Sequence, residues 1–136
     1  MNIVIIDGMG GGIGKAIIEQ IKSEISECTI TAVGTNSLAT SAMLKAGADY
    51  GASGENAVIY NCQKADYIIG VIGIMAANSM YGEISPQMAA AVSSSAAHKI
   101  LIPYDKCNVT VLGLDEKPIK TYIGEINKII KKAIEK

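Results

Sequence analysis

Apolar residues along this chain alternate between two patterns: short unbroken runs of β-branched residues, and longer stretches in which isoleucine returns every third or fourth position. Asn2–Ile6 is the first short run and predicts strand one. Ile13, Ile17, Ile21 and Ile25 then share one face of a helix predicted from about Gly12 to Ser26. Cys28–Val33, with its β-branched residues, suits strand two. Ser37 is placed to cap a second helix, Leu38 to Ala46, which Gly47 closes as a left-handed terminal residue. Ala48–Ala52 predicts a short third strand, and Ser53 is placed to cap a helix from Glu55 to about Lys64. Asp66–Gly73 is a continuous apolar run, as expected of a strand buried on both faces. After a loop from Ile74 to Ile84, Ser85 followed by Pro86 starts a fourth helix that runs through Ser95.

Lys99–Ile102 and Asn108–Gly113 are predicted as the last two strands. About five residues join them, too few for a crossover helix, so the final pair is expected to be antiparallel with strand six at an edge. A closing helix begins at Pro118, where Ile119, Ile123, Ile126, Ile130 and Ile134 form an apolar stripe and the lysines gather at the C-terminal end. Regular strand–helix alternation predicts a mainly parallel sheet covered on both sides. The expected architecture is α/β: a three-layer, Rossmann-like, doubly wound sandwich of order 3-2-1-4-5-6 with the last strand antiparallel. Residues 1–136 read as a single domain, without repeat or linker.

Composition narrows the partners. The chain is 49% hydrophobic and 18% charged, with a net charge of −1, which suits a globular domain. Its basic residues are all lysine; arginine, whose planar fork serves phosphate and base-edge recognition, is absent. Phe and Trp are absent as well, leaving six tyrosines as the only aromatics. With no basic run and little to stack bases on, nucleic acid is not expected as a partner. Cys28, Cys62 and Cys107 are widely spaced and read as reduced thiols. No apolar stretch reaches membrane-spanning length, so a soluble, cytoplasmic protein without membrane contact is expected.

Candidate chemistry concentrates where strand one meets helix one, in Asp7-Gly-Met-Gly-Gly-Gly-Ile-Gly14-Lys15. A strand, a glycine-rich turn and a helix start are the parts of a phosphate site, because glycine admits close approach and the helix N-terminus offers free N–H groups. The dinucleotide spacing G-x-G-x-x-G fails here, whereas Gly8-x-x-x-Gly12-x-Gly14 fits and Gly12-Ile-Gly14-x-Ala16 extends it. This spacing resembles the cofactor turn of the short-chain dehydrogenase/reductase family, with Asp7 in place of that family's threonine. The resemblance implies that Gly8, Gly12 and Gly14 line a pyrophosphate, and it covers only the first strand–helix unit. Asp7 itself, placed where its charge would repel a phosphate, is read as an acceptor for the loop's N–H groups ahead of a metal or catalytic role.

Strand two ends in Gly34-Thr35-Asn36-Ser37, without the acid that usually holds an adenosine ribose, so a choice between NAD and NADP stays open. Thr35 can hydrogen-bond a ribose or a 2′-phosphate. In an open sheet the ends of strands one and four flank the crevice, which puts Ile74–Glu83 beside the glycine turn. There Asn78 and Ser79 are candidate ligand contacts, Glu83 and Tyr81 are acid/base candidates, and Met75, Met80 and Tyr81 could instead form a subunit contact. Ser53-Gly54-Glu55-Asn56 lies at the same edge with weaker claims. The cofactor-binding set expected from sequence is therefore Gly8, Gly10, Gly11, Gly12, Ile13 and Gly14 on the turn, Thr35 after strand two, and Asn78 with Ser79 in the long loop.

Other motifs carry less. Tyr60-x-x-x-Lys64 has the catalytic spacing of short-chain dehydrogenases but precedes strand four, the wrong place for that family's pair. His98 is the sole histidine and has no partner at ligand spacing, so no metal site is expected. Ser93–Ser95 lack a nucleophile elbow, and Cys107, in the last hairpin, has neither a basic helix terminus nor a clear His partner that would activate it. Nearly end to end, the chain also resembles a family of small Rossmann-like proteins from anaerobic bacteria known as a domain of unknown function. Asp7–Gly14, Gly54-Glu55-Asn56, Asn78-Ser79 through Ser85-Pro86, and Lys106-Cys107-Asn108 carry that resemblance. It implies a fold and no activity.

These observations lead to a stand-alone nucleotide-binding module, with NAD, NADP or a related phosphorylated nucleotide on the Gly8–Gly14 turn and no assigned reaction. Two alternatives stand beside it: a ligand-free oligomeric interaction scaffold, and a small reductase whose site is completed at a dimer interface. A homo-oligomer fits all three.

Overall fold

The computed structural model describes residues 1–104 and 108–135. Five strands and five helices alternate along the chain, with one 3-10 turn. They are β1 (Asn2–Asp7), α1 (Gly12–Glu24), β2 (Thr29–Gly34), α2 (Ser37–Lys45), β3 (Tyr50–Ser53), α3 (Glu55–Cys62), β4 (Tyr67–Val71), α4 (Pro86–Ser94), β5 (His98–Ile102) and α5 (Ile119–Ile134). The sheet runs β3-β2-β1-β4-β5, and every pairing is parallel. On one face α1 packs against both α2 and α5; on the other α3 packs against α4. The three-layer, doubly wound architecture expected from the alternation is the one observed.

The expected sixth strand is not. Asn108–Gly113 forms turns and irregular backbone, with Asn108 and Gly113 both at positive φ (63° and 80°), so the segment bends at each end and lays no ladder along β5. The sheet is consequently wholly parallel, and β5 is its edge. Cys107, in the connection expected between the last two strands, lies outside the described residues.

β1 occupies the centre. Ile3, Val4, Ile5 and Ile6 are buried, because helices cover both faces, and β2 and β4 flank both edges. The isoleucine stripe of α1 is set into this core at Ile17, Ile18 and Ile21, and α5 closes over it with Ile123, Ile126 and Ile130. Burying each such side chain contributes about 1.5–3 kcal/mol. Between these two helices the Asn127 amide donates to the Gln20 carbonyl at 2.9 Å and to the Glu24 carboxylate, which fixes how α5 lies on α1.

Helix starts depart from expectation in detail. Asn36, not Ser37, caps α2, its side-chain oxygen accepting from the Ala39 N–H at 2.9 Å. α3 begins after Gly54 at φ 97°, and Ser53 instead meets Thr40 across the ends of β3 and α2 at 2.6 Å. Ser85 caps α4 ahead of Pro86, as the sequence indicates. The long apolar run after Asp66 is strand only to Val71, then tightens into a single 3-10 turn over Ile72–Met75. That turn delivers the following loop to the C-terminal end of β1.

Candidate functional site

β1 ends at Asp7, and the next four residues carry the chain around to α1. α1 has no side-chain cap of its own and no acid in its first turn. Asp7 takes over that task from beneath. One carboxylate oxygen accepts the Gly8 N–H at 2.8 Å and the other the Gly14 N–H at 2.7 Å. Burial pushes the Asp7 carboxyl above its ordinary range, the N–H groups of Gly14 and Gly8 pull it back, and the negative charge of Glu83 raises it further. Asp7 is thus a buried structural acceptor, the role its position in the sequence implied.

A second carboxylate closes the turn from above. Glu83, from the loop after β4, directs one oxygen at three donors: the Met9 N–H at 2.8 Å, the Thr35 hydroxyl at 2.5 Å and the Asn36 amide at 3.3 Å. The Met9 N–H, then Thr35, hold its carboxyl below the ordinary range. A group held anionic by three donors is poorly suited to proton transfer. Tyr81, the other acid/base candidate, is 97% exposed and points away into solvent. Neither residue lines the cavity described next.

That cavity, of about 370 Å³, sits over the turn between the C-terminal ends of β1 and β4, where the direction of winding reverses. Its floor is the turn itself; Val71, Gly73 and Ser79 form the β4 wall, and Met9, Met80 and Tyr104 the rim. Of the residues expected from sequence, Gly8, Gly10, Gly11, Gly12, Ile13 and Ser79 line it. Gly14 is buried behind the turn against Asp7. Thr35 lies on the β2 side, engaged with Glu83, and Asn78 is exposed on the loop. The Ser79 hydroxyl donates to the Gly73 carbonyl, which shapes the β4 wall. Val71, Gly73 and Tyr104 were not singled out from sequence and Met80 was read there only as a subunit contact, because only the turn following each strand brings them together.

The donors of the turn divide into two sets. The N–H groups of Gly8, Met9, Gly11 and Gly14 are committed, to Asp7, to Glu83, to the Gly8 carbonyl and to Asp7 again, and the Ile13 N–H also supports the Asp7 carboxylate. Those of Gly10 and Gly12 donate to no group among the described residues. A Cβ at either position would meet nothing within 4 Å. Gly11 is different: at φ +75°, with Ala39 backbone 2.8 Å from a Cβ, it is required by the turn. No lysine lines the cavity among the described residues, and those residues contain no cluster of three metal-ligating side chains.

The loop from Ala76 to Ile84 is unusual in its backbone. Asn78, Met80 and Tyr81 all have positive φ (66°, 56° and 56°), a conformation uncommon for residues other than glycine. Such conformations persist only where surrounding contacts over-determine them. Here the Glu83 clasp and the Asn78 N–H to Ile84 carbonyl bond at 2.7 Å supply those contacts. Elsewhere, Tyr60 and Lys64 lie at and beyond the end of α3, where the Lys64 ammonium stands over the Tyr60 ring. Cys28 and Cys62 are free thiols, and burial pushes Cys62 up to about 11, far from a reactive range. No helix among the described residues is long and apolar enough to cross a membrane.

A protein-family model described as a domain of unknown function, DUF3842, matches residues 2–135, and the chain belongs to that family. Among curated proteins none matches the chain. Among solved structures it is similar, at 11% identity and a TM-score of 0.41, to a dodecameric FMN-dependent Ubix-like decarboxylase from Escherichia coli O157:H7, over 100% of this chain and 95% of that one. Similarity at that level bears on neither ligand nor assembly. The family match carries the end-to-end resemblance seen in the sequence; the short-chain dehydrogenase resemblance stays confined to the glycine spacing.

Proposed function

We propose that this member of the DUF3842 family is a module that binds a phosphorylated nucleotide in the cleft over the Gly8–Gly14 turn. The observation that carries this reading is the pair Gly10 and Gly12: two uncommitted N–H groups at a helix N-terminus, on residues that line a cavity at the switch point and have open space at their Cβ positions. An anionic group held there would complete the donor count of the turn. The apolar side chains of Met9, Val71, Met80 and Tyr104 would take a flat ring beside it. NAD, NADP and mononucleotides are the candidate ligands. No reaction is assigned, since the two acid/base candidates lie off the cavity.

Thermal-shift and native mass measurements with NAD, NADP, AMP, ATP and FMN test the reading. A saturable rise in melting temperature with a nucleotide supports it. The Gly12→Val variant should keep the wild-type fold, because its side chain enters open space, and lose that rise. An equal response in wild type and variant would mean that the turn is architecture alone. A homo-oligomeric scaffold is the second reading, and the observation favouring it is the near-complete exposure of Tyr81 (97%) and Leu112 (92%). A strictly monomeric mass would remove it.

A further inference from the structure

The cleft is lopsided. In dinucleotide-binding sheets of this winding the ligand straddles the glycine turn, with one nucleotide half resting at the end of β2. In this chain the end of β2 is already occupied. Glu83 reaches across the turn and sets its carboxylate against the Thr35 hydroxyl and the Asn36 amide, the two polar groups that a ribose or a 2′-phosphate would meet there. The packing is close as well: a Cβ at Gly8 would come within 2.7 Å of the Glu83 carboxylate oxygen and the Thr35 hydroxyl, and within 2.8 Å of the Met80 sulfur. Asn36 is further held by its bonds to the Met9 carbonyl and the Ala39 N–H. None of Thr35, Asn36 and Glu83 lines the cavity, which opens over Asp7–Ile13 and towards β4 and Tyr104.

Charge and size point the same way. The turn offers two free N–H groups, no cationic side chain among the described residues lines the cavity, and two carboxylates stand close by. One phosphate can be held by two N–H groups and a helix terminus, whereas a diphosphate bridge brings more charge than these can meet. The cavity volume of about 370 Å³ is near the lower end of the range for small-molecule sites, about 300–1,000 Å³.

Resting on the nucleotide reading above, we infer that the site selects mononucleotides, one phosphate and one flat ring on the β4 side of the turn, and that Glu83 is the specificity-determining residue that bars dinucleotides from the β2 side. The carboxylate acts by occupancy and by repulsion. It fills the polar seat at the end of β2 and places a negative charge where the second half of a dinucleotide would lie.

Isothermal titration of the wild-type protein with AMP, FMN, NAD and NADP tests the inference, with Glu83→Ala and Glu83→Gln as the comparison proteins. For wild type, AMP or FMN should bind at least about tenfold more tightly than NAD or NADP. Emptying the β2 seat in Glu83→Ala should raise dinucleotide affinity by about tenfold, and Glu83→Gln, which removes the charge and keeps the shape, should raise it by less. NAD or NADP binding to wild type as tightly as the mononucleotides would overturn the selectivity and leave the nucleotide reading standing. Binding of none of the four would overturn both. The wild-type comparison needs neither variant to fold. A folded Glu83→Ala protein with unchanged preference would take the specificity role away from Glu83.

Discussion

A methyl group added to Gly14 would meet the Met43 sulfur at 2.5 Å and the Asp7 carboxylate at 3.0 Å, whereas one added to Gly12 would meet nothing within 4 Å. The turn's glycines therefore answer to two demands, internal packing and an open face. Gly14→Ala should lower stability by about 1–3 kcal/mol through overpacking, measured by denaturant unfolding. Gly12→Ala should stay within about 0.5 kcal/mol of wild type, the usual range for surface changes without a special contact. Asp7→Asn replaces one acceptor oxygen with an amide that faces the N–H of Gly8 or Gly14; the orphaned donor should cost about 1–3 kcal/mol. A strand leading into a glycine cluster made this turn legible in the sequence, together with Asp7 as an acceptor for its N–H groups. The division between packed and open glycines was not legible, because it depends on Met43, Ala39 and Glu83, which reach the turn from distant elements.

The loop between β4 and α4 shows how far an element can be read ahead of its conformation. Its place beside the glycine turn follows from sheet order alone. Its shape does not: asparagine is common at positive φ, but Met80 and Tyr81 give no sequence signal that they adopt it. The Glu83 clasp that holds the loop is pH-dependent, and its sign can be worked out. The Glu83 carboxyl is lowered in the folded protein, so its contribution is present above its ordinary value of 4.5 and is lost as pH falls through the lowered one. Asp7 is raised, so it acts in the opposite sense, disfavouring the fold as pH rises through its raised value. The stability difference between wild type and Glu83→Gln should consequently be largest near neutrality and shrink on acidification, as followed by thermal melts at stepped pH. A difference that grows in acid would contradict the clasp. Among the helices, Ile130→Ala on α5 should cost about 2–5 kcal/mol, since the side chain is fully buried against the core.

At the scale of the molecule, strand–helix alternation and the isoleucine periods gave the layers and the order of the first five strands. The sixth failed for a physical reason. Val109, Thr110 and Val111 have the composition of a strand, yet Asn108 and Gly113 turn the backbone at either end, and the segment's apolar side chains stay exposed. β5 is left as an edge, with Leu112 and Val109 exposed in the segment that follows it. If these residues join copies of the chain, Leu112→Glu should shift the mass measured by light scattering towards the monomer. An unchanged mass would place any assembly elsewhere.

The central position of β1 has a consequence for how the chain comes to be made. Ile3 and Val4 leave the ribosome well before their partners on one side, Tyr67 and Ile68, are synthesised. Throughout that interval a strand destined to be covered on both faces and both edges is left with an unpaired edge and apolar faces. Chaperone demand during translation should therefore peak before β4 appears. Nascent chains stalled short of Val71 should bind a holdase more strongly than chains stalled beyond Ile102.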